Sequence, residues 1–477
     1  MSTAKPDAYL IPVNPDAPAT VFGGLDVASL WTKGRAEAKQ GATRTFYDAH
    51  DGASVTLASL GKDFKPNRDE AVRRATGAGI KAVQEAGAKV VHVDVAGSPH
   101  AAAQGVQLGK FHFTLKTAPD AKKPEPIIVP VGAQDAGQGG LSWETGLVYA
   151  ECQNLARELM ELPANMMTPT IFCERVAEEF QGLPNVDIVV RDTEWARSKN
   201  MNSFVSVTKG TAEPAKFLEI HYKGGNPSDK PIVWVGKGVT FDAGGINIKV
   251  TSDMHMMRGD MGGAANVVSA ALGVAKLKLP INLIVLTPLT ENLPGPSASK
   301  PGDIVYASNG KTIEINNTDA EGRLILADAL YYGSSTFKPD TIIDVATLTG
   351  AIMVALGGVY SGVFSSSDEL WKALYTAGEA EFDRFWRMPL NEAYGPAISG
   401  SNADLCNTGG RWGGACTAAW FLRAFVDGID EGKISWAHID IPIDTESSAY
   451  ERKGSMAGRP TRALIEFARR AALNQTS

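Results

Sequence analysis

Short runs of apolar, β-branched residues at 54–59, 90–95 and 127–131 predict strands in the first part of the chain. Between the first two, residues 69–86 carry apolar side chains at helical spacing, and Gly87 would end that helix. A longer amphipathic pattern at 145–162 predicts a connecting helix that Pro163 and Asn165 stop. Beyond Pro169 the alternation resumes. Helices are expected at 170–180, 263–277 and 321–332, and strands at 187–191, 216–222, 232–235, 281–287, 341–345 and 436–441. Strand 232–235 is continuously apolar and 341–345 is rich in β-branched residues, the pattern of a sheet covered on both faces. Such alternation predicts an α/β fold of two domains. A smaller N-terminal α/β domain would occupy residues 1–150, with a connecting helix and linker over 151–169. A larger α/β/α layered domain with a mixed, largely parallel sheet would occupy 170–477.

Composition narrows the function classes. A net charge of −7 gives no general attraction to nucleic acid or to an anionic membrane, so neither is expected as a partner. The stretch 341–364 is long enough to cross a bilayer. Asp344, Thr347, Thr349 and four glycines within it argue instead for a buried strand leading through Gly350 into an apolar helix. Cys152, Cys173, Cys406 and Cys416 lack metal or redox spacing and read as core thiols of a reducing compartment. With no targeting pattern in residues 1–10, a cytoplasmic location is expected. The Lys- and Pro-rich stretch 116–125 reads as an exposed loop, and the Pro-Gly-Ser stretch 293–303 as a loop lining a site or an oligomer contact.

Charged residues crowd in two places. Asn317-Thr318-Asp319-Ala320-Glu321-Gly322-Arg323-Leu324 packs two carboxylates and a guanidinium into five residues. Read as an extended segment, it places Asp319, Glu321 and Arg323 on one face. Upstream, residues 236–249 and 258–263 add Lys237, Asp242, Lys249, Arg258 and Asp260, among glycines that let backbone approach a ligand. Asp242, Asp260, Asp319 and Glu321 in one pocket would repel one another unless cations neutralised them, and two divalent ions match their charge. Singly, each is as well explained as a solvated turn residue; gathered, they point to a dinuclear metal site. The seven histidines include no HExxH pair, so histidine ligation is not expected. His255 reads as a non-ligand and His438 as a core residue.

The NTDAEGRL octapeptide at 317–324 resembles the signature of the leucyl (cytosol) aminopeptidases. The blocks 236–249 and 257–265 resemble that family too, as do 161–170, 344–350, 413–421 and 458–467. This similarity implies a metal-dependent enzyme that hydrolyses the N-terminal residue from peptides, with a catalytic domain over 170–477 and a non-catalytic domain over 1–150. By resemblance, Asp242 and Glu321 bridge two divalent ions, Asp319 completes the more exchangeable site, and Lys237 with Asp260 completes the tighter one. The ions would be Zn²⁺ or Mn²⁺, with Co²⁺ or Mg²⁺ also suited to carboxylate oxygens. Lys237 would bind as the neutral amine.

The resemblance also implies attack by a metal-bound hydroxide, with Lys249 stabilising the oxyanion. Arg323, with Gly322 and Leu348, would hold a bicarbonate that shuttles protons. Met257, Thr347 and Gly350 would line an apolar pocket for a first residue such as Leu or Met. Pro442-Ile443 stands where the family commonly has Ala-Gly, which alters one wall of that pocket. A homohexamer is implied as well. Two rival readings share these residues: a dinuclear phosphoesterase, which would recruit more histidines and arginines, and a non-catalytic scaffold or nucleic-acid-binding regulator on the same fold.

Overall fold

The computed structural model describes residues 5–18, 22–95, 97–118, 125–132 and 140–476. Two compact units emerge: Met1–Asn154 with Glu446–Gly454, and Leu155–Thr445 with Ser455–Ser477. The boundary falls inside the helix Trp143–Glu161, which matches the amphipathic pattern at 145–162. Of the loop expected at 116–125, residues 119–124 lie outside the described residues, as do residues 1–4 of the N-terminal segment.

The first unit holds a five-stranded sheet in the order Thr43–His50, Ala53–Ser59, Ala8–Val13, Val90–Asp94, Ile127–Val131. Only the Thr43–His50 pairing is antiparallel. Two strands are not among those expected from the sequence. Ala8–Val13 contains Pro12, and Thr43–His50 is a half-exposed edge without a buried apolar face. The helix Arg68–Glu85 lays Ala71, Ala75 and Ile80 into the core, and Gly87 follows it at φ +78°.

The second unit is built on a nine-stranded sheet. Its order is Phe385–Arg387, Ser361–Ser365, Ser435–Asp440, Thr341–Ala346, Ile232–Gly236, Asn282–Asn292, Lys216–Lys223, Val186–Arg191, with Gly238–Asp242 paired to the far end of Asn282–Asn292. The four central strands, Ser435–Asp440 to Asn282–Asn292, run parallel, and antiparallel pairs appear outside them. The sheet is therefore mixed and largely parallel, and the chain is α/β. Alternation along Ile232–Gly236 sets the layers. Val233 and Val235 share a core with Leu324, Ile325 and Leu330 of the helix Glu321–Phe337. Gly236 instead lies against Ala264 and Val267 of the helix Gly262–Lys276. Successive residues of one strand thus face two different helices, the two-sided cover that continuous apolarity predicts.

Three expectations need correction. The strand expected at 281–287 runs to Asn292, because Gly238–Asp242 supplies it with a partner from Leu289 to Asn292. After Gly350 the helix is short, Gly350–Leu356, and the chain then forms the fully buried strand Ser361–Ser365, which the apolar run hid. Cys406 is only half buried, whereas the other three cysteines are buried, and none of the four is in a disulfide among the described residues. Among the described residues, no helix is long and apolar enough to cross a membrane.

Candidate metal centre

The charged residues gather at the carboxyl ends of the central strands, where side chains from several loops converge. Lys237 sits between Ile232–Gly236 and Gly238–Asp242; its N–H donates to Val345 O at 3.0 Å, and its carbonyl accepts from Ala264 N at 2.8 Å. Asp242 ends the second of those strands. Gly244 then turns the chain at φ +92°, so that Lys249 N donates to Ala243 O at 2.9 Å. A Cβ on Gly244 would lie 2.4 Å from Asn247 O and 2.8 Å from Asp319 Oδ1, so only glycine fits there. Asp260 follows the short helix Met254–Gly259 and precedes Gly262–Lys276.

Asp319, Glu321 and Arg323 are not an extended segment. Glu321 opens the helix Glu321–Phe337, and Asp319 lies in the turn before it. They converge because a turn and a first helical turn fold both carboxylates toward the strand ends. Asp242, Asp319 and Glu321 each offer an oxygen, and these oxygens lie within 4.8 Å of one another. Lys237 Nζ reaches Asp260 Oδ1 at 2.8 Å, Glu321 Oε1 at 2.9 Å and Thr347 O at 2.9 Å. Lys249 Nζ lies 2.6 Å from both Asp242 Oδ2 and Asp319 Oδ1.

Two lysines face four carboxylates, so the cluster is short of positive charge. Burial, with Glu321 adding to it, pushes the Asp242 carboxyl above its ordinary range. Burial pushes Asp260 up further and also raises Asp319. Glu321 runs the other way: burial would raise it, but Lys237 and Lys249 outweigh that and hold it low. Burial alone would lower Lys237 and Lys249, yet the surrounding carboxylates hold both well above the usual lysine range. Asp260 Oδ2 and Glu321 Oε2 are buried without a hydrogen-bond partner among the described residues. Orphaned carboxylate oxygens beside a converging trio suit a hard divalent cation, so the donor set fits a metal centre.

Above the cluster opens a cavity of about 410 Å³. The five residues expected to hold metal all line it, as do Lys249, Arg323, Met257, Thr347, Leu348 and Gly350. Gly322 does not. It is buried against Lys237, where a Cβ would stand 2.6 Å from Cε and 2.8 Å from Nζ. Arg323 is 7% exposed and donates from Nη1 to Asn407 O at 2.8 Å, while its Nε has no hydrogen-bond partner among the described residues. Burial pushes its pKa down to about 10, with Glu321 and Asp440 as the nearest compensating charges. Ile441 and Ile443 also form the wall, whereas Pro442 does not. His438 is fully buried, with Nδ1 2.5 Å from Asp344 Oδ1, and His255 does not line the cavity.

Several supporting residues have no signal in the sequence. Asn292 Nδ2 donates to Asp242 Oδ1 at 2.8 Å, and Thr318 Oγ1 to Gly244 O at 2.7 Å, fixing the two loops together. Met353 and the segment 408–410 complete the wall. They arrive through the fold, from elements far apart in the chain.

The chain and its fold are similar to known proteins. The profile of the cytosol aminopeptidase family's catalytic domain matches residues 154–465, and that of its N-terminal domain matches residues 20–118. The bovine cytosol aminopeptidase (Bos taurus) is 48% identical over 90% of this chain and 83% of its own length. The human cytosol aminopeptidase (Homo sapiens) is 47% identical, again over 90% of this chain and 83% of its own. Among solved structures, the bottromycin maturation enzyme BotP in complex with Mn superposes with a TM-score of 0.85 at 30% identity, covering 98% of this chain and 99% of that one. A tomato leucine aminopeptidase mutant gives 0.84 at 30% identity over 98% and 94%.

Proposed function

Because the chain belongs to the cytosol aminopeptidase family, and so is a metal-dependent aminopeptidase acting on peptides, we propose that the 410 Å³ cavity is its catalytic centre. The convergence of Asp242, Asp319 and Glu321 within 4.8 Å, beside two orphaned carboxylate oxygens, carries this reading. Lys237, Asp242, Asp260, Asp319 and Glu321 would hold two divalent ions, Zn²⁺ or Mn²⁺, with Co²⁺ or Mg²⁺ also suited to the oxygens. Bound there, the ions supply Lewis acidity toward the scissile carbonyl and lower the pKa of water.

The chain's own residues do the rest. Lys249, on the cavity wall and held cationic, donates to the carbonyl oxygen as negative charge develops on it. Arg323 cannot accept a proton, but a buried guanidinium with a free Nε suits a small oxyanion such as bicarbonate, which would carry the proton. Leu348 N–H is already engaged by Asp440 and Gly322 lies away from the wall, so Arg323 is the principal grip. Met257, Thr347, Gly350, Met353, Ile441 and Ile443 all line the cavity, and together they would receive a first residue such as Leu or Met. A phosphoesterase is not favoured, since no histidine lines the cavity.

The catalytic domain on this reading is 170–477, with 151–169 as connector and 1–150 as a non-catalytic domain; every residue lining the cavity falls between Lys237 and Ile443. A cytoplasmic homohexamer completes the proposal, and light scattering giving a stable monomer would contradict its quaternary part. The catalytic reading is tested by the free α-amine that an aminopeptidase requires. Leucyl amide should be hydrolysed and N-acetyl-leucyl amide should not; comparable rates on both would refute it.

A further inference from the structure

We propose that Asp440, which touches no substrate, is a positioning residue for this centre: it holds the turn 347–350 that aligns Lys237 and Asp260. The inference rests on the reading of the cavity as the aminopeptidase site. Asp440 closes the strand Ser435–Asp440, which runs parallel to Thr341–Ala346 with Ala346 beside Asp440. The ladder's last bond is Ile441 N to Ala346 O at 2.9 Å. Past it the two chains part, and the N–H groups of Leu348 and Thr349 have no strand to pair with. The Asp440 carboxylate takes the strand's place. Its Oδ1 accepts from Leu348 N at 3.0 Å and Thr349 N at 3.2 Å, and its Oδ2 accepts from Thr349 Oγ1 at 2.6 Å. Thr349 Oγ1 in turn accepts from Ile352 N at 3.1 Å and caps the helix Gly350–Leu356.

What the turn carries gives this arrangement its consequence. The Thr347 carbonyl accepts from Lys237 Nζ at 2.9 Å, and the Thr347 hydroxyl donates to Asp260 Oδ1 at 2.8 Å. One carboxylate therefore sets a backbone that in turn sets two charged groups of the centre. Only a carboxylate serves three donors from two acceptor oxygens; an asparagine has a single acceptor oxygen. Asp440 itself is fully buried and absent from the cavity wall. It also belongs to an alternating run of buried charge. Asp344 accepts from Trp436 Nε1 at 2.8 Å and pairs with His438 at 2.5 Å; Asp440 compensates the charge of both His438 and Arg323.

Kinetics of the full-length, metal-loaded protein on leucyl amide test this. Asp440→Ala should stay folded by circular dichroism and keep its metal content, while kcat falls by about 10²-fold, as for a misplacement of about 1 Å, with KM changed far less. Asp440→Asn, keeping one acceptor, should recover part of that loss, a graded rescue that a merely space-filling role would not produce. Thr349→Val should reduce kcat several-fold with metals unchanged, and it decides the matter if Asp440→Ala fails to fold. Asp319→Ala serves as the reference: if it stays active, the site reading itself is wrong. If Asp319→Ala is inactive while the folded Asp440 and Thr349 variants keep kcat within about twofold of the parent, the positioning role is overturned alone.

Discussion

Gly322→Ala is a sharp test of the centre's geometry, because the added methyl points at one group. Its Cβ would stand 2.6 Å from Lys237 Cε and 2.8 Å from Nζ, against an ordinary carbon contact of about 3.5–4.0 Å. The lysine tip must therefore retreat by about 1 Å, and it can, being the flexible end of a side chain. Its bonds to Asp260 at 2.8 Å and to Glu321 and Thr347 at 2.9 Å would then stretch beyond useful range. For the fold, crowding costs about 1–3 kcal/mol, and alanine in place of glycine inside a helix returns about 0.5–1 kcal/mol. The net change is about 0–2.5 kcal/mol, small enough for the variant to fold. For catalysis, a displacement of about 1 Å costs about 10²-fold, or about 2.7 kcal/mol of barrier. Steady-state hydrolysis of leucyl amide, together with a thermal melt, should show a folded protein with kcat reduced by about that factor. A folded Gly322→Ala protein with kcat within about threefold of the parent would refute the role given to Lys237.

Arg323→Ala should keep its metals and fold but lose about 10²–10⁴ in kcat, with partial recovery in concentrated bicarbonate; loss of metal or of fold would make the guanidinium structural. Lys249→Ala should lose about 10²–10³ in kcat and resist that rescue, and recovery of its activity by bicarbonate would contradict the separation of roles. The buried His438–Asp344 pair predicts a pH signature in stability. Burial would lower the histidine, but Asp344 outweighs it and the pKa is raised. A raised histidine contributes stability that is full below its ordinary pKa of about 6.5 and lost as pH climbs through the folded value. The thermal advantage of the parent over Asp344→Asn should therefore shrink as pH rises above the ordinary histidine pKa of about 6.5, and an advantage that grows would contradict the pairing.

The fold was legible where burial on both faces writes itself into composition. Residues 232–235 and 341–345 read as strands because Val233, Trp234, Ile342 and Ile343, on alternating faces, are all fully buried. Gly238–Asp242 was not legible, since it pairs only with the extended end of another strand and carries no period of its own. For the centre, spacing and charge in the two crowds pointed to metal, and resemblance distributed the roles. The local geometry at Asp319–Arg323 was misjudged, because i, i+2 spacing shares a face only in extended chain and Glu321 begins a helix. Asp440, Asn292 and Asn407 escaped notice for a different reason. Each is bonded to a partner distant in sequence, as the Asn407 carbonyl is to Arg323 Nη1, 84 residues away. No local pattern encodes such a contact.

Metal counted against activity tests the central claim most directly. Chelated, metal-free protein should be inactive on leucyl amide, and added Mn²⁺, Zn²⁺ or Co²⁺ should restore turnover to a plateau at about two ions per chain. Asp319→Ala should bind about one ion, losing mainly the exchangeable one. Full activity in metal-free protein, or a plateau at one ion in the parent, would contradict the account.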